Sequence, residues 1–343
     1  MIRVVVVDAS LEHRLAVEEI LHTDPDVSLT GVACDGRSAV DLVGRTRPDV
    51  VIIGLEAEAS DCYYAVRQIM AHSPTPILLL ADPGRTQGEL VAYMLAAGAL
   101  EAAERPRVHD GFQDTHKCKE LLARIRLLAR VPVVTHIAGK LRPRRPAPGV
   151  RLSAPSARAA VAIVASTGGP MALGQLLSAL PADIPAPLFV VQHMADGFIE
   201  GLANWFQEHS GLKVRVAENG DLASPGTVLL GPDGCHMVVG RGGVIGLDPS
   251  AALTGIRPAG DRLFHTVADV YGARAIGVVL TGMGNDGASG AASIKRAGGR
   301  VIAQDRATST IFGMPSAAIE AGVVDEVLPL DAIGKKLVEW VGR

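Results

Sequence analysis

At 343 residues the chain exceeds the usual span of one domain, so two units of about 100 to 200 residues each are expected. Nearly half of it (48%) is hydrophobic yet only 3% is aromatic, the excess being Val, Ala, Leu and Ile, as in parallel sheets covered by helices. A net charge of -3 with no basic stripe argues against nucleic acid. Cys34, Cys62, Cys118 and Cys235 lack the spacing of a disulfide framework or a zinc site, and no apolar run reaches the length of a signal core or a membrane span. A reducing cytoplasm is the expected compartment.

Residues 2–7 read as a buried strand, followed by a helix over LEHRLAVEEILHT with Leu11, Leu15, Val17, Ile20 and Leu21 at helical spacing. VSLTGVAC, PDVVIIGLE and TPILLLAD are further strands. They alternate with helical pieces such as GRSAVDLVGR and GELVAYMLAAG, the pattern of a doubly wound sheet. KCKELLARIRLLAR closes this unit as a helix, apolar along Leu121, Leu122, Ile125 and Leu128, with Lys117, Arg124 and Arg126 on a solvated face. The expected boundaries are a first domain over 1–130, a Pro/Arg-rich linker over 131–158, and a second domain over 159–343.

In the second domain strands are expected at VAIVAS, PLFVVQH, VRVA, TVLLG, HMVVG, AIGVVLTG and RVIAQ. Helices are expected near GFIEGLANWFQEHS, DRLFHTVADVYG and ASGAASIKRAG. The Gly- and Pro-rich middle, residues 218–248, reads as short antiparallel strands rather than another crossover unit.

Ligands of open α/β sheets gather outside the carboxyl ends of the strands, so polar residues ending apolar runs form the shortlist. VAIVAS ends on Ser166, PLFVVQH on His193, and AIGVVLTGMGNDG leads through a tight turn to Asp286. A hydroxyl, an imidazole and a carboxylate on one edge are the parts of a nucleophilic triad. Gly168 and Gly169 would let backbone N–H groups approach an oxyanion at a helix start. Taken singly each residue has a plainer reading: Ser166 as a helix cap or phosphate contact, His193 as a structural histidine with His236 and His265 as rivals, Asp286 in competition with Asp305 and Asp196.

The strings ASTGGP, VVQHM, LTGMGNDGASG and IAQDRATSTIFGMPSAAIEAG together resemble the chemotaxis protein-glutamate methylesterase family over most of residues 160–330. That resemblance implies hydrolysis of glutamate γ-methyl esters, and deamidation of some glutamines, on the cytoplasmic helical bundle of chemoreceptors. It places the nucleophile at Ser166, the base at His193 and the orienting acid at Asp286. It also sets Thr167 and Met283 beside the reacting carbonyl through their backbone N–H groups, and Arg257 near the substrate cleft. No metal or organic cofactor is implied. Signalling-complex proteins are possible further partners, and membrane insertion is not implied.

The first domain is similar to the receiver that regulates this family, with departures at its chemical positions. Asp8 is followed by Ala9, Gly54 stands where the third strand would end on the phospho-accepting aspartate, Ala81 replaces the hydroxyl residue, and Arg105 the lysine. Phosphoryl transfer needs a carboxylate nucleophile and oxygen ligands for magnesium, which Asp8 and Glu56 do not supply, so a pseudo-receiver is expected. The fold class is therefore α/β throughout: a flavodoxin-like receiver joined to a Rossmann-like methylesterase domain with a small antiparallel addition. The competing reading is a scaffold or nucleotide-binding module using the glycine turn after Ser166, although the lysine of a P-loop is missing there.

Overall fold

The computed structural model describes residues 1–55, 60–106, 108–109, 112–113, 115–131, 159–253 and 255–342. The chain separates into two compact units, Met1–Lys140 and Leu141–Arg343. Beyond Val131, the stretch expected to be a linker lies outside the described residues, as does Glu56.

The first unit runs β1 (Ile2–Val7), α1 (Leu11–His22), β2 (Val27–Ala33), α2 (Gly36–Thr46), β3 (Val50–Gly54), α3 (Ser60–His72), β4 (Ile77–Ala81), α4 (Arg85–Ala96) and β5 (Glu101–Glu104). A short hairpin, β6 (Val108–His109) and β7 (Phe112–Gln113), precedes α5 (Thr115–Leu128). The five main strands are all parallel in the order β2-β1-β3-β4-β5, the doubly wound receiver-like arrangement. Strands β3 and β4 are buried along their whole length because helices cover both faces of the sheet.

In this unit α1 forms where its apolar spacing placed it, and one expectation, on α5, is corrected. On α1 only Val17, Ile20 and Leu21 are buried, whereas Leu11 and Leu15 are 62% and 54% exposed; they lie on the opposite side of the helix from the sheet. On α5 the basic residues are paired rather than simply solvated. Lys117 meets Glu104, Arg124 meets Glu101 and Glu120, and Arg126 meets Asp24 at 2.6 Å. These pairs tie α5 to the end strand and to the α1–β2 turn, while Cys118, Leu121, Ile125 and Leu128 face inward.

The second unit runs β8 (Ala160–Ala165), α6 (Gly169–Ala179), β9 (Leu188–Gln192), α7 (Ile199–His209), β10 (Lys213–Val216), β11 (Thr227–Leu230), β12 (His236–Val239), β13 (Ile245–Asp248) and α8 (Gly260–Tyr271). It continues with β14 (Ala275–Val279), α9 (Ala288–Arg296), β15 (Arg300–Gln304), α10 (Met314–Glu320), β16 (Glu326–Leu328) and α11 (Leu330–Val341). Seven parallel strands form one sheet in the order β10-β11-β9-β8-β14-β15-β16. Among the described residues of this unit β12 and β13 form the one antiparallel strand pair, and Leu222 bridges Val244 antiparallel, so the Gly-rich middle is a mixture: TVLLG joins the main sheet as β11 instead of an antiparallel ribbon. The chain leaves β8 toward β9 on one side and returns with β14 on the other. The switch point therefore lies between β8 and β14.

Every residue of β8 is fully buried, and its side chains pack with Phe189, Val191, Phe264 and Val279 in the core. Each fully buried Val or Ile contributes about 1.5–3 kcal/mol relative to exposure, so β8 is held rigidly up to its last residue. After Thr167 the chain turns through Gly168, whose φ of 76° is the left-handed region, and Pro170 sits in the first turn of α6. A side chain at Gly168 would overlap Thr310, so glycine is required there on two counts.

Candidate active site

Ser166 is the first residue beyond β8, and His193 the first beyond β9. The last paired residues of these strands are Ala165 and Gln192, and the His193 N–H donates to Ala165 O at 2.9 Å. Ser166 and His193 are therefore cross-strand neighbours one step past the ladder, about 4.8 Å apart at the backbone. Asp286 follows β14 on the far side of β8. Because β8 lies between β9 and β14, a contact between His193 and Asp286 must pass over the end of the strand that carries Ser166.

That contact is made: His193 Nε2 lies 2.8 Å from Asp286 Oδ2. Asp286 is 5% exposed and its carboxylate also accepts from Gly260 N at 2.6 Å, Asp261 N at 2.8 Å and Gly287 N at 3.0 Å. Two of these donors are the first N–H groups of α8, whose unpaired amides and dipole favour an anion. Burial pushes the carboxyl upward, but the hydrogen bond and charge of His193 together with the amides of Asp261 and Gly260 outweigh it, and Asp286 is held below the ordinary carboxylate value. An ionised Asp286 draws the imidazole proton to Nε2. Nδ1 then carries the lone pair.

Ser166 is partly exposed, and no hydrogen bond joins its Oγ to His193 among the described residues. The pairing of imidazole and carboxylate is thus preformed, while the hydroxyl stands beside it on the adjacent strand end. Catalytic hydrogen bonds commonly close only with substrate in place. Ser166 N donates to Thr281 O at 3.0 Å, and a Cβ on Gly282 would come within 2.7 Å of Ser166 Cβ. The turn after β14 therefore lies directly against the serine. Met283 is 53% exposed, and its backbone N–H has no hydrogen-bond partner among the described residues. Thr167 is buried, with its carbonyl accepting from Thr281 Oγ1 at 3.1 Å.

The other candidates stand apart. His236 is fully buried between backbone groups, Nδ1 accepting from Ala259 N at 3.1 Å and Nε2 facing Ala251 O at 3.2 Å. His265 bonds Ser293 and joins α8 to α9. Asp305 accepts from the Thr308 N–H and hydroxyl within its own turn, and Asp196 is exposed. Arg257 is exposed, with its guanidinium held by the carbonyls of Pro249 and Ser250, both at 3.1 Å. Asp261 accepts from Gly287 N at 3.0 Å and Gly290 N at 2.7 Å, fastening α8 to the Asp286 turn. Burial and the neighbouring Asp286 push its carboxyl up.

The corresponding edge of the first unit is closed. Asp8 and Arg105, each 5% exposed, pair at 2.6 Å, and Arg105 also donates to Leu55 O at 2.8 Å. Asp8 further accepts from Ser10 N at 2.9 Å. Any side chain at Gly54 would collide with the Asp8 carboxylate. Ala81 is fully buried at the end of β4. Among the described residues no group of three or more His, Cys, Asp or Glu side chains is arranged to hold a metal ion.

An imidazole–carboxylate pair bridging the strand that leads into a serine, with a free amide in the turn against that serine at the switch point of a doubly wound sheet, has the parts that acyl transfer of the serine-hydrolase class requires. Residues 161–337 match the family model described as CheB methylesterase. A protein-glutamate methylesterase/protein-glutamine glutaminase of Anaeromyxobacter dehalogenans (strain 2CP-C) is 43% identical over 340 residues, covering 98% of this chain and 96% of that protein. The protein-glutamate methylesterase FrzG of Myxococcus xanthus is 40% identical over 90% of this chain and 89% of its own. The crystal structure of the Thermotoga maritima CheB methylesterase catalytic domain is 42% identical, with a TM-score of 0.52 over 53% of this chain and 97% of that one. The chain belongs to the CheB methylesterase family.

Proposed function

We propose that the chain hydrolyses glutamate γ-methyl esters, and deamidates glutamines, on the helical cytoplasmic part of chemoreceptors, with Ser166 as nucleophile. The observation that carries this reading is the His193–Asp286 bond spanning the end of β8, the strand that leads into Ser166; against an ionised carboxylate the imidazole proton sits on Nε2, and Nδ1 is the nitrogen left to take a proton. Ser166 Oγ adds to the ester carbon as His193 Nδ1 takes its proton, and the oxygen that gains charge faces the Met283 N–H, with Thr167 beside it. The C–OCH₃ bond then breaks, and His193 returns the proton so that methanol leaves. Water repeats the sequence on the acyl-serine, releasing glutamate and restoring Ser166; with a glutamine side chain ammonia leaves instead.

Methanol release from a methylated receptor fragment, followed with the full chain and with Ser166→Ala, tests this. Turnover should disappear in the variant while its fold is retained. Equal release by both proteins would defeat the assignment, and no turnover by either would favour a binding module.

Regulation by this reading does not pass through an aspartyl phosphate. Gly54 offers no carboxylate, and the pair of Asp8 and Arg105 neutralises within the protein the charge that a phosphate and its metal would otherwise bring.

A further inference from the structure

We propose that Gln192 is a positioning residue of the hydrolase centre, its carboxamide clamping the peptide carbonyls of Ser166 and His193 to each other where the strand ladder has stopped. The proposal deepens the hydrolase reading above and rests on it. Gln192 is the last residue of β9 and is 3% exposed. Its Nε2 donates to Ser166 O at 2.9 Å and to His193 O at 2.7 Å. Both hydrogens of one amide group are thus spent on the two residues whose side chains must meet. The orientation of the carboxamide is dictated by its surroundings, since the reverse would set its oxygen against two carbonyl oxygens.

The need for such a clamp follows from the sheet. Beyond Ala165 and Gln192 the β8–β9 pairing ends, and Ser166 N turns to Thr281 O on the opposite neighbour. The last ladder bond, from His193 N to Ala165 O, stops one residue short of the Ser166 carbonyl, and among the described residues it is the Gln192 side chain that joins the carbonyls of Ser166 and His193. The clamp carries an energetic penalty: Gln192 Oε1 is buried without a partner, packed against Gly169, where a side chain would overlap it. Buried acceptors are rarely left unpaired, and an apolar side chain of similar size would fill the space without that penalty. Gln304 offers the contrast at the end of β15. Its oxygen accepts from Thr281 N and its nitrogen donates to Thr308 O, both at 2.8 Å, so that carboxamide is paired through both its oxygen and its nitrogen, with partners other than Ser166, His193 and Asp286.

The experiment uses the full chain with Gln192→Met and Gln192→Glu. It reads kcat and KM for methanol release, the rate at which a fluorophosphonate modifies Ser166, and the melting curve by circular dichroism. In Gln192→Met, at a temperature where the protein is fully folded, kcat and the labelling rate should fall together by about tenfold to a hundredfold, with KM within about twofold, as expected for a small misplacement of reacting groups. In Gln192→Glu a carboxylate facing two carbonyls resists ionisation, and its protonated form regains one donor. Activity relative to wild type should therefore rise as the pH is lowered. A folded Gln192→Met variant with wild-type kcat, or a loss that only tracks the melted fraction, overturns the proposal. Should Gln192→Met not fold, a Gln192→Glu to wild-type ratio that is flat with pH overturns it instead. A wild-type chain that neither labels nor releases methanol removes the hydrolase reading as well, whereas an active wild type matched by Gln192→Met removes only the clamp.

Discussion

Replacing Asp286 by asparagine changes one oxygen into an amide nitrogen at nearly constant volume. Four donors converge on the carboxylate, two on each oxygen: His193 Nε2 and Gly260 N on Oδ2, Asp261 N and Gly287 N on Oδ1. Whichever way the new amide points, its NH₂ group meets two positions that were donating. If NH₂ faces His193, Nε2 must become the acceptor and the proton moves to Nδ1, the nitrogen needed to receive the serine proton. If it faces the other way, the amide of Asp261 loses its acceptor, that of Gly287 keeps only Asp261 Oδ1, and the turn that aims residue 286 is loosened. The first orientation corresponds to the wrong-tautomer state that lowers kcat by about 10⁴ in other triads, equivalent to roughly 5.5 kcal/mol of barrier. In either orientation one buried donor, Gly260 N or Asp261 N, is left unpaired and adds a stability loss of about 1–3 kcal/mol. Methanol release at saturating receptor, read alongside a urea melt, should therefore show kcat reduced by about three to four decades in a protein that still folds. A folded Asp286→Asn enzyme within tenfold of wild type would refute the tautomer argument.

Acid titration offers a second test. Asp286 has its folded pKa below the ordinary carboxylate value of 3.8, so its contribution to stability is complete above that value and is lost as pH falls through the lower folded value; wild type should lose more stability in that acid range than Asp286→Asn does. Asp261 behaves oppositely. Its folded pKa is raised above 3.8, so its ionisation opposes folding as pH rises, and Asp261→Asn, whose oxygen keeps both amide bonds, should raise the melting temperature more at pH 7 than at pH 3.5. In the first unit, incubation with acetyl phosphate and magnesium should leave the intact mass unchanged, and Gly54→Ala should lower stability by about 1–3 kcal/mol in urea, because its methyl collides with Asp8. A labile phosphoryl adduct mapped to this unit, or a neutral Gly54→Ala, would contradict the closed-edge description.

Much of this site was legible as strand ends. Runs of buried aliphatics announce β8, β9 and β14, and the polar residue that follows each is where a doubly wound sheet exposes chemistry. What periodicity could not decide was which carboxylate meets which imidazole. His236, His265 and Asp305 end or flank apolar segments too, and only the strand order shows that His193 and Asp286 straddle β8. The placement of β11 was hidden for a related reason: four residues carry no mark of parallel or antiparallel pairing, which the neighbouring strand decides. Leu11 and Leu15 kept helical spacing but fall outside the buried stripe of α1. Gln192 left a usable trace, since a glutamine closing a fully buried strand is uncommon unless its amide is occupied, and VVQ and IAQ both end that way.

The two sheets obey one topological rule and differ in how much hydrogen-bonding capacity their carboxyl edges leave open. In the first unit the buried charges at the edge answer each other: Asp8 pairs with Arg105 and accepts from Ser10 N, Arg105 pairs with Asp8 and donates to Leu55 O, and Gly54 and Ala81 contribute no side-chain polarity. In the second unit the carboxylate is saturated, yet the groups nearest the reacting atoms are not: Ser166 Oγ and Met283 N–H have no partners among the described residues. Unspent donors and acceptors in a partly buried edge are unfavourable until a ligand satisfies them. An ester carbonyl seated between Ser166 and Met283 would satisfy both, most fully when the carbonyl oxygen gains charge, which is the condition for stabilising a transition state rather than a bound substrate.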